Sequence, residues 1–189
     1  MVNIFGIYFT IEHYFSETIG YQLSDEKPVG LIRDNRNYVM GFVGNDYLFP
    51  CDGVITSFSW HCLSLNSVVF CIFGPVINSC FEIKYRFVTK GICVNEDNSL
   101  IVTPVVNVKK GWSIGYYSNS PSNDSIGKSP CEMSCGTHVS KSSTGGGNYV
   151  SFFLDDVQPY IYHFNVNFLP FKYTLVRVIS EHKSNTGMF

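Results

Sequence analysis

Along most of the chain, apolar and polar residues alternate with a period of two. In Phe81–Val88 the residues Phe81, Ile83, Tyr85 and Phe87 alternate with Glu82, Lys84 and Arg86, which predicts a strand with one face in a core and the other in water. Tyr160–Phe168 repeats the pattern: Tyr160, Tyr162, Phe164, Val166 and Phe168 share one face, and Ile161, His163, Asn165 and Asn167 the other. His163 is therefore expected on the solvent side. In Gly53–His61, Val54, Thr56, Phe58 and Trp60 are predicted to share a face. Ser67–Phe73 is apolar at every position after the serine, so it is expected in a sheet centre, buried on both sides, with Gly74-Pro75 ending it. Val105–Val108 and Trp112–Tyr117 flank Lys109-Lys110-Gly111, the pattern of two strands joined by a tight turn.

Further strands are expected at Tyr38–Val43, Leu100–Val108, Tyr149–Leu154 and Lys172–Ile179. Pro104 cannot donate to a ladder, so its strand should lie at an edge or carry a bulge. About eight or nine short strands with turn signals between them predict an all-β fold, an antiparallel β-sandwich of the jelly-roll kind, over residues 29–180. Residues 1–28 form an N-terminal segment. Met1–Ile11 is a candidate signal or targeting stretch, although it has neither a basic n-region nor a small-residue cleavage site. Ile11–Leu23 has weak helical spacing, and 181–189 reads as a frayed tail. Ser118–Asn148, rich in Ser, Asn, Pro and Gly, is the one long irregular stretch. Long loops in compact domains tend to carry function, so a binding site is expected there first.

Composition strengthens the β reading. Aromatic residues make up 16% of the 189-residue chain, with 16 Phe and 12 Tyr, and aromatics fit a pleated, half-buried surface. The formal charge is −2 with 15% charged residues, and no basic cluster is longer than Lys109-Lys110, which argues against nucleic acid as partner. No apolar run approaches the roughly 18 residues of a membrane-spanning helix. Seven cysteines point to an oxidising compartment and a secreted, extracellular, disulfide-bearing protein. Cys80 and Cys93 bracket a strand and are candidates to staple its ends, while Cys131 and Cys135 are candidates to bridge within their loop. Asn123-Asp124-Ser125 is an N-glycosylation sequon, which would make the chain a glycoprotein.

Three segments occur in order: Pro50-Cys51-Asp52-Gly53-Val54-Ile55-Thr56-Ser57-Phe58-Ser59-Trp60, Val68-Val69-Phe70-Cys71-Ile72-Phe73-Gly74-Pro75-Val76, and Val108-Lys109-Lys110-Gly111-Trp112-Ser113-Ile114-Gly115-Tyr116-Tyr117. Over Tyr47–Leu154 the chain thereby resembles a poorly characterised extracellular β-sandwich module of invertebrate secreted and cell-surface proteins. It departs from that module's pattern at Phe58, where the module has Trp, at Phe73-Gly74, where it has Trp-Arg, and at Ser113, where it has Asp. The resemblance implies adhesion or recognition and brings no catalytic residue.

Direct signals of chemistry are sparse. His61 and Cys62 are strand neighbours that point to opposite faces, so they do not make a nucleophile–base pair. Cys131, Cys135 and His138 are zinc-type ligands with no evident fourth. Glu96-Asp97 and Asp155-Asp156 lack the ladder of a calcium loop, and Gly145–Gly147 precedes an aromatic strand where a phosphate loop needs a helix. No metal or cofactor is expected. Glu82 and Glu132 are the acids nearest plausible site regions for a glycosidase pair. Exposed aromatics are the remaining lead: Trp112, Tyr116 and Tyr117 adjoin the long loop, with Tyr117 on the face better placed for exposure. The function expected is a secreted, non-enzymatic adhesion or recognition module for glycan (carbohydrate binding) or an extracellular protein. The alternatives are a carbohydrate-active hydrolase on a jelly-roll scaffold and a structural extracellular component.

Overall fold

Strands dominate because β-branched and aromatic residues recur at alternate positions, where a pleated backbone lets them stack on one side. The computed structural model describes residues 16–23, 32–33, 38–42, 45–77, 80–118, 126–130, 137–143, 149–151, 153–158 and 160–171, with backbone only at 32–33, 38–42, 45, 76–77, 118, 137–143, 149–151 and 153–158. All of them lie in one compact unit, Phe15–Phe171. The expected strand Lys172–Ile179, the tail and Met1–Ile11 lie outside the described residues.

Fourteen strands are formed among the described residues: β1 (Glu17–Gly20), β2 (Ile32–Arg33), β3 (Tyr38–Phe42), β4 (Gly53–Cys62), β5 (Ser67–Ile77), β6 (Cys80–Lys90), β7 (Glu96–Val108), β8 (Ser113–Ser118), β9 (Gly127–Pro130), β10 (Thr137–Ser143), β11 (Tyr149–Ser151), β12 (Phe153–Gln158), β13 (Tyr160–Tyr162) and β14 (Phe164–Pro170). They make a four-stranded sheet ordered β1-β14-β4-β7, a seven-stranded sheet ordered β11-β6-β5-β8-β3-β10-β12, and a small sheet β13-β9-β2. Every ladder is antiparallel. The all-β, sandwich-like architecture is the one that the alternation predicts. Among the described residues no helix is long and apolar enough to cross a membrane.

The two large sheets face each other through one aromatic core. From the four-stranded sheet come Ile55, Phe58, Trp60, Phe164, Val166 and Phe168; from the other come Val68, Phe70, Ile72, Ile114 and Tyr116. Phe70 stacks on Phe58 with centroids 4.7 Å apart and lies 5.2 Å from Trp60 and 6.0 Å from Phe164. As expected, β5 is buried on both faces: Val69, Cys71 and Phe73 join Phe81 and Ile83 in a second core on the other side of the seven-stranded sheet.

Several expectations about single elements are corrected. The predicted face Phe81/Ile83/Tyr85/Phe87 is split by a bulge. Ile72 pairs with Tyr85 but Phe73 with Ile83, so Lys84 is an extra residue and the strand changes faces there. Phe81 and Ile83 enter the second core, and Tyr85 and Phe87 the first. Thr56 is a similar extra residue opposite Asn167–Phe168, so Ile55 rather than Val54 and Thr56 shares the inner face with Phe58 and Trp60. Gly74-Pro75 does not end β5; the pairing jumps from Phe73↔Ile83 to Val76↔Phe81 and carries the proline in a bulge. Pro104 behaves as expected, in edge strand β7 at a register break between the pairs of Val106 and Ile101.

Residues 17–20, inside the segment given weak helical spacing, form edge strand β1. The stretch 118–148 is not wholly irregular, since it contributes β9 and β10. Its Ser-rich strand Thr137–Ser143 has too few apolar side chains to show alternation. The turn at 109–111 joins no hairpin: β7 and β8 lie in different sheets. The turn is stitched to residues 49–52 instead, with Gly111 N–H donating to Phe49 O at 2.8 Å, Phe49 N–H to Trp112 O at 2.9 Å, and Lys110 N–H to Asp52 Oδ1 at 2.9 Å. Gly111 has φ +77, a left-handed conformation that favours glycine.

Because Phe70 touches both β4 and β14 side chains, Phe70→Ala should cost about 3–5 kcal/mol, read as a lower urea midpoint with an unchanged m-value. An equal loss in the exposed Val88 would show that the interlock is not special.

Candidate functional site

Alternation places a polar side chain outside for each aromatic inside. On the outer face of the four-stranded sheet the register aligns Thr18, Asn167, Ser57 and Ile101 in one row and Gly20, Asn165, Ser59 and Ser99 in the next, with His61 and Asp97 in a third. An open groove of about 330 Å3 runs over these rows, lined by Thr18, Gln22, Ser59, Asn98, Ser99, Asn165 and Asn167, with Asp97 the one acid and Leu23 the one large apolar side chain among the described residues.

Its amides are held in place. Asn165 Nδ2–H donates to Tyr21 O at 2.8 Å, and Asn167 Nδ2–H donates to Ser57 Oγ at 2.8 Å. Each bond uses one amide hydrogen and orients the remaining Oδ1 acceptor and N–H donor. Asn98, behind Asp97 in β7, is buried and bonds four backbone groups of the preceding turn: it accepts from Ile92 N–H (2.6 Å) and Cys93 N–H (3.0 Å) and donates to Cys93 O (2.7 Å) and Glu96 O (3.0 Å). That clamp fixes the groove wall at residues 97–99.

Two histidines sit at one end of the rows. His61 Nδ1 is 2.8 Å from Asp97 Oδ1, and its backbone N–H donates to His163 O at 2.9 Å. His163 lies on the outer face, as expected, yet it is 1% exposed and not solvated. Tyr21 covers it edge-on with ring centroids 4.6 Å apart, and its Nε2 is 2.8 Å from Ser129 Oγ. Burial, reinforced by nearby His61 and only partly opposed by Asp97, pushes the His163 pKa down from 6.5 to about 4.

Among the described residues, the buried His163 Nδ1 has no hydrogen-bond partner. A lone pair tolerates that better than an N–H, so the proton belongs on Nε2, donating to Ser129. Ser129 is then an acceptor from His163 and not a nucleophile activated by it. The carboxylate that would orient a catalytic base is on the other histidine, so serine, histidine and aspartate do not form one relay.

The aromatic candidates do not converge. Tyr116 is 1% exposed within the first core, so it cannot offer a ring to a ligand. Trp112 is half-buried, with Lys84 Nζ 5.6 Å above its ring. Tyr117 does face the other way, but it packs half-buried on the second core with its hydroxyl bonded to Arg86, and burial raises its pKa. Period-two geometry separates Tyr116 from Tyr117, and both from the groove. Glu82 pairs with Lys84 at 2.5 Å.

Cys80 is half-buried at the start of β6, and Cys93 is exposed in the turn beyond its end. The 11-residue β6 separates them, roughly 30 Å at strand rise, too far to bond each other. Cys131, Cys135, Glu132 and Asn123 lie outside the described residues. Among the described residues no group of three or more His, Cys, Asp or Glu is placed to hold a metal ion. The groove residues passed over in the sequence were visible there as Ser57-x-Ser59 and Asn165-x-Asn167, short uncharged polar side chains opposite buried aromatics.

A neutral buried histidine gives a signed pH dependence. Because the folded-state pKa is depressed, the contribution of His163 is fully present above about pH 6.5 and is lost as pH falls towards about 4. Thermal melts across that window should show the wild type losing more stability than His163→Gln. Parallel pH profiles would sink this assignment.

Comparison of the chain with protein-family models, with curated proteins and with solved structures finds no match.

Proposed function

We propose that this protein is a non-enzymatic recognition module that binds glycan in the polar groove of its four-stranded sheet, in the secreted, adhesive setting implied by its three ordered strand motifs. The observation that carries the reading is the groove's lining. Hydroxyls and amides from Thr18, Ser59, Ser99, Asn165 and Asn167 face one open channel, and two of the amides are already oriented by the protein. Such groups alternate donors and acceptors, as do the hydroxyls of a sugar. Being uncharged, they lose less on desolvation than ionised groups would.

A hydrolase on this scaffold requires two carboxyl groups about 5–10 Å apart across a cleft. Among the described lining residues Asp97 is the single acid, and its Oδ1 is engaged by His61. That favours binding over hydrolysis. A protein ligand stands as the second reading, because exposed Ile101 borders the same rows.

The test is a glycan array probed with the purified protein, followed by titration of the strongest hit. Ser99→Trp, which fills the groove from an exposed edge position, should weaken binding at least tenfold without lowering Tm, and Tyr117→Ala should leave affinity within about twofold. Binding that survives Ser99→Trp, or no glycan above background, would overturn the reading.

A further inference from the structure

Two cysteines distant in sequence meet where β4 ends and β7 begins. Cys62, the last residue of β4, is fully buried in the first core, and its thiol donates to Ser64 O at 3.0 Å. The segment 91–95 folds back over it. Asn95 N–H donates to Cys62 O at 2.7 Å, and Cys62 pairs in register with Glu96. Gly91 comes so close that a Cβ there would lie 2.3 Å from Cys62 Sγ and 2.3 Å from Ser64 O, so only glycine allows the approach.

Cys93 lies between these two anchors and is exposed. Its backbone N–H and C=O are both held by the Asn98 side chain. Asn98 pairs with Trp60 and so shares the inward face with Cys62, one diagonal step along the ladder. Burial raises the Cys62 pKa, and the neighbouring Cys93 adds to that rise. The other described cysteines are elsewhere: Cys51 precedes the far end of β4, Cys80 begins β6 at its far end, and Cys71 is in the second core.

We propose that Cys62 and Cys93 are an oxidisable pair whose disulfide closes this end of the sandwich, with a small-molecule disulfide such as oxidised glutathione as the oxidant. Exposed Cys93 reacts first: its thiolate attacks one glutathione sulfur, the glutathione S–S bond breaks, and one glutathione thiolate leaves and takes up the proton that Cys93 lost. Cys62 then turns from Ser64 O, loses its proton and attacks the Cys93 sulfur of the mixed disulfide. The second glutathione thiolate departs and receives that proton. Two protein thiols are oxidised, and one glutathione disulfide is reduced to two thiols. Burial of Cys62 shields it from direct attack and reserves it for the resolving step.

The test incubates the full folded chain with oxidised glutathione at pH 8, alkylates the remaining thiols and maps non-reduced peptides by mass spectrometry. A Cys62–Cys93 cross-linked peptide is expected. It should disappear in Cys93→Ser, and Cys62→Ala should instead accumulate glutathione on Cys93. The oxidised wild type should melt roughly 5–15 °C above the reduced form, as closing a loop of this length implies. A wild-type protein that retains glutathione on Cys93, or that joins Cys93 to a different cysteine, would overturn the proposal, and that outcome is readable even where Cys62→Ala fails to fold.

Discussion

The contact of Phe70 with Phe58, Trp60 and Phe164 is the constraint from which the rest follows. Aromatic pairs at these separations contribute about 0.5–1.5 kcal/mol each beyond the area they bury. More consequentially, they decide which side of β4 and β14 is inside. Once Phe58 and Trp60 point inward, Ser57, Ser59 and His61 must point outward; once Phe164, Val166 and Phe168 do, so must His163, Asn165 and Asn167. The polar groove is thus the obligatory reverse side of the core. A one-residue slip of β14 would turn its asparagines into the core and its phenylalanines into water.

Bulges are the devices by which the same alternation serves both sides of the seven-stranded sheet. With Lys84 inserted, one strand supplies Phe81 and Ile83 to the second core and Tyr85 and Phe87 to the first. The inserted residue itself points to the surface, where its ammonium is shared between Glu82 and the Trp112 ring. At Thr56 the insertion is anchored by its hydroxyl, which donates to Asn167 O at 3.3 Å. Local side-chain hydrogen bonds of this kind hold the irregular residue where a ladder bond is lost.

How legible all this was depends on the range of the interaction. The all-β class, the doubly buried β5, the edge position of Pro104 and the two faces of 160–168 could be read from residues a few positions apart. The face switches at Lys84 and Thr56 could not, because an inserted residue leaves the apolar spacing of its own strand intact and appears only against the partner strand. The turn at 109–111 misled for the same reason: a glycine turn between two β-rich runs fits a hairpin as well as it fits a crossing between sheets, and only its bonds to residues 49–52 distinguish the two. Tyr117 was placed on the correct face, but that face belongs to a second core. The groove was missed because serine and asparagine on strands carry no chemical signature alone and gain one only when β1, β14, β4 and β7 set them side by side.

The histidine end of the groove lacks the geometry of a serine relay, on physical grounds. Catalysis by serine requires a base that is oriented by a carboxylate and able to accept a proton. Here burial holds His163 neutral down to about pH 4, its Nδ1 meets no carboxylate among the described residues, and Asp97 is bound to His61. The same features serve a rigid wall. Asp97, tied to His61, and Asn98, tied to four backbone groups, restrain side chains whose ordering would otherwise oppose ligand binding by about 0.5–1.5 kcal/mol each. A groove whose polar groups are ordered before the ligand arrives gains affinity through that pre-organisation. On the proposed glycan-binding reading, the hydrogen bonds that immobilise Asp97, Asn98, Asn165 and Asn167 therefore belong to the binding surface as much as the atoms left facing the channel do.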